Sequence, residues 1–325
     1  MLRRILLVAL PLCCSACVFR TQEAQAHLDR GEIALAERNL HTALAEFREA
    51  VRLNPQLPEA HEKLGHTYRQ AGDLTRAADS LETAVRLDPQ DFSAMFELGD
   101  VYRLLDRVSQ AIRVYLLACR LEPNNFDPHF RLALCYQESG ELDQAVEGYR
   151  EALRIEPNNA RAWFNLGAVH DVGGRHYEAI QAYKRSLECD TSQPIVLVNL
   201  ATVYMNQDRF DVARRTLEAA VKMAPDLAIV HERIGFCDWR TGKNKDAEKA
   251  YRQAITISRK SPRAFAGLGV VLMNQFLDDP AQVALRDEAV ESWHASLELD
   301  PNQPKLRDLI EKYRPKRERP GLGIE

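Results

Sequence analysis

A spacing of 34 residues recurs along most of this 325-residue chain. A fixed period of this length is the sequence mark of a solenoid, in which similar structural units stack one on another. Each unit of a solenoid needs only its neighbours, so the chain length does not by itself require several globular domains. The step is kept by these prolines and alanines: Pro55, Pro89, Pro123, Pro157, Pro225, Ala43, Ala77, Ala111, Ala145, Ala179, Ala213 and Ala247.

Each period contains two helical patterns separated by a turn. In the unit from 126 to 159, apolar side chains follow the i, i+3, i+4, i+7 spacing of one helix face. Gly140 suits the left-handed residue that ends a helix, and Pro157 stops the second pattern because proline cannot continue a helix. The positions on these faces are His129, Leu132, Ala133 and Tyr136 in the first pattern and Leu142, Ala145, Tyr149 and Ala152 in the second.

These units resemble the tetratricopeptide repeat, whose landmarks are a large residue, Leu-Gly, Tyr, Ala, an aromatic residue, Ala and Pro. The landmarks stand at Leu98, Gly99, Tyr102, Ala111, Tyr115, Ala118 and Pro123, and again at Trp163, Leu166, Gly167, Ala179 and Tyr183. The resemblance implies an all-α, right-handed superhelical solenoid of about eight helix-turn-helix repeats over residues 24–301. In register, the units start at Ala24, Pro58, Phe92, Phe126, Ala160, Pro194, Ala228 and Pro262.

The last unit and the end of the chain depart from the pattern. Eight extra residues fall around 276–282, and we predict that they extend the turn between the two helices of the eighth unit. A binding role and a tolerated surface loop both remain open for this insertion. The apolar spacing in residues 302–313 predicts a helix that covers the open apolar face of the last repeat. Residues 314–325 are a basic tail that we expect to be disordered, either solvated or against anionic lipid.

Residues 1–16 have the layout of an export signal. The stretch has a basic start, then an apolar run over 5–12 that is too short to span a bilayer, and then small residues. Ser15, Ala16 and Cys17 resemble the lipobox of bacterial lipoproteins, in which the cysteine after the cut is lipidated, although Cys14 stands where leucine is usual. An ordinary signal peptide and an uncleaved anchor are the alternatives.

With a lipid on Cys17, residues 17–23 become the linker to the solenoid. Its six residues after the cysteine reach about 20 Å when extended, which would hold the first repeat close to the membrane. Val18 follows the cysteine, and in proteobacterial lipoproteins a residue other than Asp at this place favours the outer membrane. We therefore expect an exported protein that is lipid-anchored in the cell envelope, at the periplasmic face of the outer membrane.

Composition and motifs favour a protein without chemistry of its own. The net charge is −4 with acids and bases mixed, so the basic footprint that nucleic acid requires is missing. The sequence has no G-x-S-x-G, phosphate-binding glycine loop or H-E-x-x-H motif. We predict no catalytic residue, metal, cofactor or small-molecule substrate. Four cysteines lack zinc-ligand spacing and are predicted to be small packed residues rather than a bridge: Cys119, Cys135, Cys189 and Cys237.

The resemblance also implies a binding surface. In tetratricopeptide superhelices, places 2, 5, 6, 9 and 12 of each unit, counted from its first residue, line a concave groove that receives a peptide or a partner helix. Asparagine at place 6 resembles the side chain that bonds a peptide backbone in peptide-binding members. Packing between repeats is the alternative use of these places. The groove residues so implied are Phe130, Arg131, Arg161, Phe164, Asn165, Val198, Asn199, Phe236 and Trp239.

The function expected from these features is a non-catalytic interaction scaffold at the bacterial cell envelope, with partner peptides or helices in its groove. Two alternatives share the architecture. One is a pilotin-like assembly factor for a secretion or pilus machine, and the other is a regulatory adaptor of a cell-wall hydrolase.

The lipid anchor makes the first prediction. Replacing Cys17 with Ser removes the thiol that would carry the lipid, so Cys17→Ser should move the protein from the membrane fraction to the soluble fraction. Fractionation followed by immunoblotting measures this, with Cys189→Ser as the matched control that should stay with the membranes. A Cys17→Ser protein that remains membrane-bound would show that the lipid is not the anchor.

Overall fold

The structure is a computed structural model that describes the backbone of residues 12–314 and side chains from residue 19 onward. Most of the predicted export signal, the side chain of Cys17 and the tail from 315 lie outside the described residues. Across the described range the chain forms helices and no strand. The helices are α1 (Leu12–Ala36), α2 (Leu40–Leu53), α3 (Pro58–Gln70), α4 (Leu74–Leu87), α5 (Phe92–Leu104), α6 (Val108–Leu121), α7 (Phe126–Glu138), α8 (Leu142–Ile155), α9 (Ala160–Val172), α10 (His176–Cys189), α11 (Pro194–Asn206), α12 (Phe210–Met223), α13 (Ala228–Arg240), α14 (Asn244–Ile257), α15 (Pro262–Asp278), α16 (Val283–Leu299) and α17 (Pro304–Tyr313).

The predicted all-α class and helix-turn-helix repeat are confirmed. The predicted starts of units two to eight coincide with the starts of α3, α5, α7, α9, α11, α13 and α15. In the second to seventh repeats the first helix has 13 residues and the second has 14. The chain divides into two compact units, residues 1–157 and residues 158–325.

The turn inside each of the first seven repeats has one backbone geometry. The residue at place 15 is left-handed in all of them, and it is glycine in four repeats, including Gly72 and Gly140 with φ near +80°. The next amide then donates back to the first helix, as Glu141 N does to Tyr136 O at 2.8 Å. This bond satisfies a carbonyl that the helix end would leave open. Arg38, Asp106 and Asp208 adopt the same conformation without being glycine.

Close approach of the two helices holds each repeat together. A Cβ built on Gly99 would lie 2.6 Å from Tyr115 Cε1, and one on Gly167 would lie 2.7 Å from the Tyr183 ring. These rings are fully buried, and the alanines of the 34-residue series are buried as well. The large ring of the second helix therefore fills the space that the glycine of the first helix leaves, which explains why the spacing is kept so strictly.

The insertion in the eighth repeat lies mainly in the helices, so the predicted long turn is wrong. Helices α15 and α16 have 17 residues each, four and three more than their counterparts in α13 and α14. The turn between them, 279–282, gains only one residue. Added turns of helix satisfy their own backbone hydrogen bonds, whereas a longer loop would expose them.

The two ends of the described chain are helical. Residues 17–23 belong to α1, which continues from Leu12 into the first repeat, so the structure does not place them in an extended linker. At the other end α17 packs on α16, with Leu306 and Ile310 buried and the Tyr313 ring 6.4 Å from that of Trp293. Between residues 12 and 314, no helix has both the length and the apolar character needed to cross a membrane.

The solenoid cysteines are packed as small apolar residues. Cys135 and Cys237 are buried, Cys119 and Cys189 are half-buried, and all four thiols are free. Burial raises the pKa of the Cys119 thiol to about 11 and that of Cys135 to about 12. These thiols therefore stay protonated near neutral pH and are poor nucleophiles.

The close helix contact makes the second prediction. Gly99→Ala places a methyl group against the buried Tyr115 ring, whose hydroxyl is fixed by a 2.7 Å hydrogen bond to Asp100 Oδ1. We expect the substitution to lower the free energy of unfolding by about 1–3 kcal/mol. Urea denaturation followed by circular dichroism measures it. The double variant Gly99→Ala, Tyr115→Leu should recover part of the loss, and equal stability of Gly99→Ala and wild type would contradict the packing account.

Candidate functional site

Within the compact unit of residues 1–157, polar pairs join the first helices of successive repeats. Each pair links place 9 of one repeat to place 6 of the next. Glu32 at place 9 meets Lys63 at place 6, with 2.6 Å between Oε1 and Nζ. Asp100 meets Arg131 in the same relation, with 3.5 Å between Oδ1 and Nε. We call this series of pairs the place 9–place 6 ladder. Its third member joins His66 Nδ1 to Glu97 Oε1 at 2.9 Å.

The ladder accounts for the polar side chains at places 6 and 9 from Glu32 to Arg131. Arg69 adds a further bond to Glu97, with 2.7 Å between Nε and Oε1. Because these charges satisfy one another between adjacent helices, they are not available to a ligand without breaking the pairs. Arg131, which the sequence implied as a groove residue, is thus an inter-repeat ion-pair residue.

The ladder does not continue within residues 158–325, where places 9 and 6 of successive repeats hold Ala168 and Asn199, Thr202 and Arg233, and Phe236 and Gly267. Place 6 of the seventh repeat is Arg233, as place 6 of the fourth is Arg131, but place 9 of the preceding repeat is Thr202 where the first unit has Asp100. Thr202 Oγ1 donates within its own helix to Val198 O at 2.8 Å. Among the described residues, Arg233 has no hydrogen bond or ion pair, and its Nε is buried.

A cleft of about 620 Å³ lies at Thr202 and Arg233. Helix α13 contributes Arg233, Phe236, Trp239 and Arg240, α11 contributes Met205, and the opposite wall is α15. The Phe236 ring lies 5.6 Å from that of Trp239, and both side chains are half-buried. The remaining lining residues are Thr202, Asn206, Glu232, Tyr251, Arg263, Ala266, Gly267 and Val270.

Small residues of the eighth repeat open this cleft. Ala266 and Gly267 stand at places 5 and 6, where the fifth repeat has Phe164 and Asn165. A Cβ on Gly267 would lie 2.3 Å from Cζ of Tyr251, so the buried tyrosine ring occupies the space at that glycine. Ala266 and Gly267 therefore add little side-chain volume to the cleft that Phe236 and Trp239 line.

The charge in the cleft is mainly positive. Three arginines and one glutamate line it, and Glu232 accepts a 2.5 Å hydrogen bond from Ser261 Oγ. Arg240 is bonded to Asp208 Oδ1 at 3.0 Å and lies over the Phe210 ring at 4.3 Å. Burial lowers the pKa of Arg233, the like charge of Arg263 lowers it further, and Glu232 acts in the opposite direction. The positive charge of Arg233 is therefore incompletely compensated.

The groove residues that the sequence implied within residues 158–325 lie at different sites on the surface. Phe236 and Trp239 line the cleft. Phe164 lines a smaller depression of about 290 Å³ with residues 192–196. Asn165 and Asn199 are half-buried at place 6, and Arg161 is exposed at place 2.

Two implied groove residues are buried, which corrects the sequence analysis. Phe130 is 3% exposed and packs between Phe126 and Tyr149, with ring centroids 5.3 and 5.7 Å apart. Val198 is 2% exposed. An aromatic side chain at place 5 packs on the tyrosine of its own second helix, as Phe96 also does on Tyr115 at 5.8 Å. At these two positions, packing inside the solenoid is the correct interpretation.

Four cleft residues stand at the implied groove places but were not among the predicted site residues: Thr202 at place 9, Arg233 and Gly267 at place 6, and Arg263 at place 2. For Thr202, Arg233 and Gly267 the sequence signal is the comparison of place 9 of one repeat with place 6 of the next. That comparison needs the knowledge that the two places pair, and the structure supplies it.

The stacked helix pairs define a tetratricopeptide-repeat protein. Residues 20–262 match the family described as Cilia and flagella-associated protein 70 C-terminal domain, and the chain belongs to this family. None of the curated proteins matches the sequence. Tetratricopeptide proteins are generally scaffolds for protein interaction, and the fold of this chain suggests the same kind of role.

Solved structures share the fold. A tetratricopeptide repeat protein from Parabacteroides merdae ATCC 43184 has 19% identity and a TM-score of 0.57, over 78% of this chain and 97% of that one. MamA protein has 27% identity and a TM-score of 0.51, over 53% of this chain and 94% of its own. The APC/C hetero-tetramer Cut9-Hcn1 has 17% identity and a TM-score of 0.54, over 85% of this chain and 53% of that chain.

The charge of the cleft makes the third prediction. Positive potential concentrates anions, so iodide should quench the fluorescence of Trp239 more strongly than caesium does. The Trp239 contribution is the difference between wild type and Trp239→Phe, because both proteins contain Trp163 and Trp293. Arg233→Gln should reduce iodide quenching and leave quenching by neutral acrylamide unchanged, and Arg215→Gln on the exposed side of α12 is the control. Equal quenching by iodide and caesium would contradict a positive cleft.

Proposed function

We propose that this protein is a non-catalytic scaffold of the cell envelope and that its cleft between α11, α13 and α15 binds a segment of a partner protein. The observation that carries the proposal is the pair of half-buried rings, Phe236 and Trp239, facing a cleft of about 620 Å³. Aromatic side chains in a concave pocket are the residues that most often supply binding energy at protein interfaces.

The shape of the cleft favours a protein segment as its occupant. The first helices of three successive repeats, α11, α13 and α15, supply most of its lining. Groove binding of a helix or an extended peptide uses such a surface, with large apolar anchors at regular spacing. Met205 and Val270 extend the apolar lining on both sides of the rings. The half-buried amides of Asn165 and Asn199 are candidates for contacts with a peptide backbone elsewhere on the same unit.

The membrane location is part of the proposal and rests on the sequence of residues 1–17. The basic start, the short apolar run and the lipobox-like Ser15-Ala16-Cys17 support export and lipid attachment at Cys17. The periplasmic face of the outer membrane is the location that Val18 supports. A pilotin-like assembly factor and a regulatory adaptor of a cell-wall hydrolase differ from this general role in the partner, which the next experiment identifies.

The fourth prediction concerns partner capture. Crosslinking and purification from the native envelope should recover a partner with wild type and lose it with Phe236→Ala, Trp239→Ala, because this variant removes the anchor rings. Ala266→Trp, which fills the cleft from α15, should lose the same partner. Mass spectrometry identifies the captured proteins, and circular dichroism checks that each variant is folded.

The matched control is Tyr177→Ala, which removes a 71% exposed aromatic side chain outside the cleft and should leave the capture unchanged. If folded Phe236→Ala, Trp239→Ala and Ala266→Trp proteins captured the same partners as wild type, the cleft would not be the binding site.

A further inference from the structure

The environment of Arg233 indicates the chemistry of the segment that the cleft binds, given the proposed function of the cleft as a protein-binding site. We infer that the partner segment carries an aspartate or glutamate side chain close to a large apolar side chain. Its carboxylate pairs with Arg233 and supplies the negative charge that Thr202, the uncharged residue at place 9, does not provide. The apolar side chain packs on Phe236 and Trp239.

The first unit provides the template for this pair. At Asp100 and Arg131 the same two places hold a carboxylate and a guanidinium, 3.5 Å apart, and the carboxylate is largely buried between helices. Arg233 corresponds to Arg131, so the guanidinium is present there as well, but Thr202 stands where Asp100 provides the carboxylate. Thr202 and Arg233 both line the cleft, so a carboxylate from a bound segment can reach the arginine from the cleft side.

In the part of the chain that the structure describes, no carboxylate completes a pair with Arg233. Glu232 is its sequence neighbour, and adjacent residues of a helix do not face each other. Ser261 Oγ is hydrogen-bonded to Glu232 at 2.5 Å. Asp208 is bonded to Arg240. Within residues 19–314, no acid lies within ion-pair distance of Arg233, and its buried Nε has no acceptor.

Burial of an unpaired guanidinium is unfavourable, and a bound carboxylate would remove that cost. Burial lowers the pKa of Arg233, the charge of Glu232 raises it, and the charge of Arg263 lowers it, so Glu232 offsets part of this cost. Arg263 also lies in the cleft wall, so a carboxylate near Arg233 would reduce the repulsion between the two arginines. Charge complementarity therefore selects an acidic segment over a neutral or basic one.

The distance between the arginine and the rings sets the spacing in the partner. Arg233 and Trp239 are six residues apart on α13, which is about 9 Å along the helix axis. An extended chain advances about 3.3 Å per residue, so the acidic and apolar side chains would be two or three residues apart. Phe236 lies between these two residues with its ring 5.6 Å from that of Trp239, so one apolar side chain can contact both rings.

The experiment uses a phage-displayed library of random 12-residue peptides selected on the folded wild-type protein. The expected result is enrichment of peptides with Asp or Glu two or three residues from Phe, Trp, Leu or Met. The most enriched peptide is then synthesised in two forms, with its acid intact and with that acid changed to the matching amide. Fluorescence anisotropy gives the affinity of each form for wild type, Arg233→Gln and the control Arg215→Gln.

Removing a charged hydrogen-bond partner should weaken binding about tenfold or more. The acid-to-amide change should have this effect on wild type and Arg215→Gln and almost none on Arg233→Gln, since the partner is already gone. Equal losses on wild type and Arg233→Gln, or enriched peptides without an acid, would overturn the inference.

Filling the cleft separates this inference from the proposed function. If Ala266→Trp blocks binding of the enriched peptides and their acid does not matter, the cleft binds protein segments and the role assigned to Arg233 is wrong. If folded Ala266→Trp binds every enriched peptide as wild type does, the cleft is not the binding site, and the inference fails together with the proposed function.

Discussion

Contact between the two helices of each repeat is the constraint on which the rest of the structure depends. A glycine or other small residue on the first helix receives a large ring from the second, as Gly99 receives Tyr115 and Gly269 receives Trp293. Because these contacts leave no room for a larger residue, the places that make them cannot vary independently. The places on the exposed side of the first helix are free of this constraint, and differences between repeats concentrate there.

Those variable places explain how one repeated fold can carry a local site. In residues 1–157, places 9 and 6 of successive repeats hold complementary polar groups that pair with each other, as Glu32 and Lys63 do. Between the sixth and seventh repeats these places hold Thr202 and Arg233, and place 6 of the eighth repeat is Gly267. Loss of the carboxylate and loss of bulk occur in adjacent repeats, and together they produce a cleft with aromatic walls and an uncompensated positive charge.

The sequence predicted the parts of the structure that are periodic. Helix starts from Pro58 to Pro262 follow from the 34-residue step because each repeat imposes the same packing. The long turn predicted for the eighth repeat was wrong, since periodicity cannot say whether eight residues extend a loop or two helices. The buried state of Phe130 and Val198 was also missed, because place 5 can face a groove or the ring of its own second helix. Contacts between repeats, such as Asp100 with Arg131, decide between these outcomes.

The stability of a variant with a carboxylate at position 202 tests the central claim, that Arg233 lacks a partner like the one that Asp100 provides for Arg131. The measurement compares the free energy of unfolding of Thr202→Asp with that of Thr202→Asn, which has nearly the same shape without the charge. The account predicts that the aspartate variant is more stable by about 1–2 kcal/mol at neutral pH. Pairing should lower the pKa of the new carboxylate, so this gain should be lost as the pH falls through that pKa. Equal stability of the two variants at neutral pH would contradict the account.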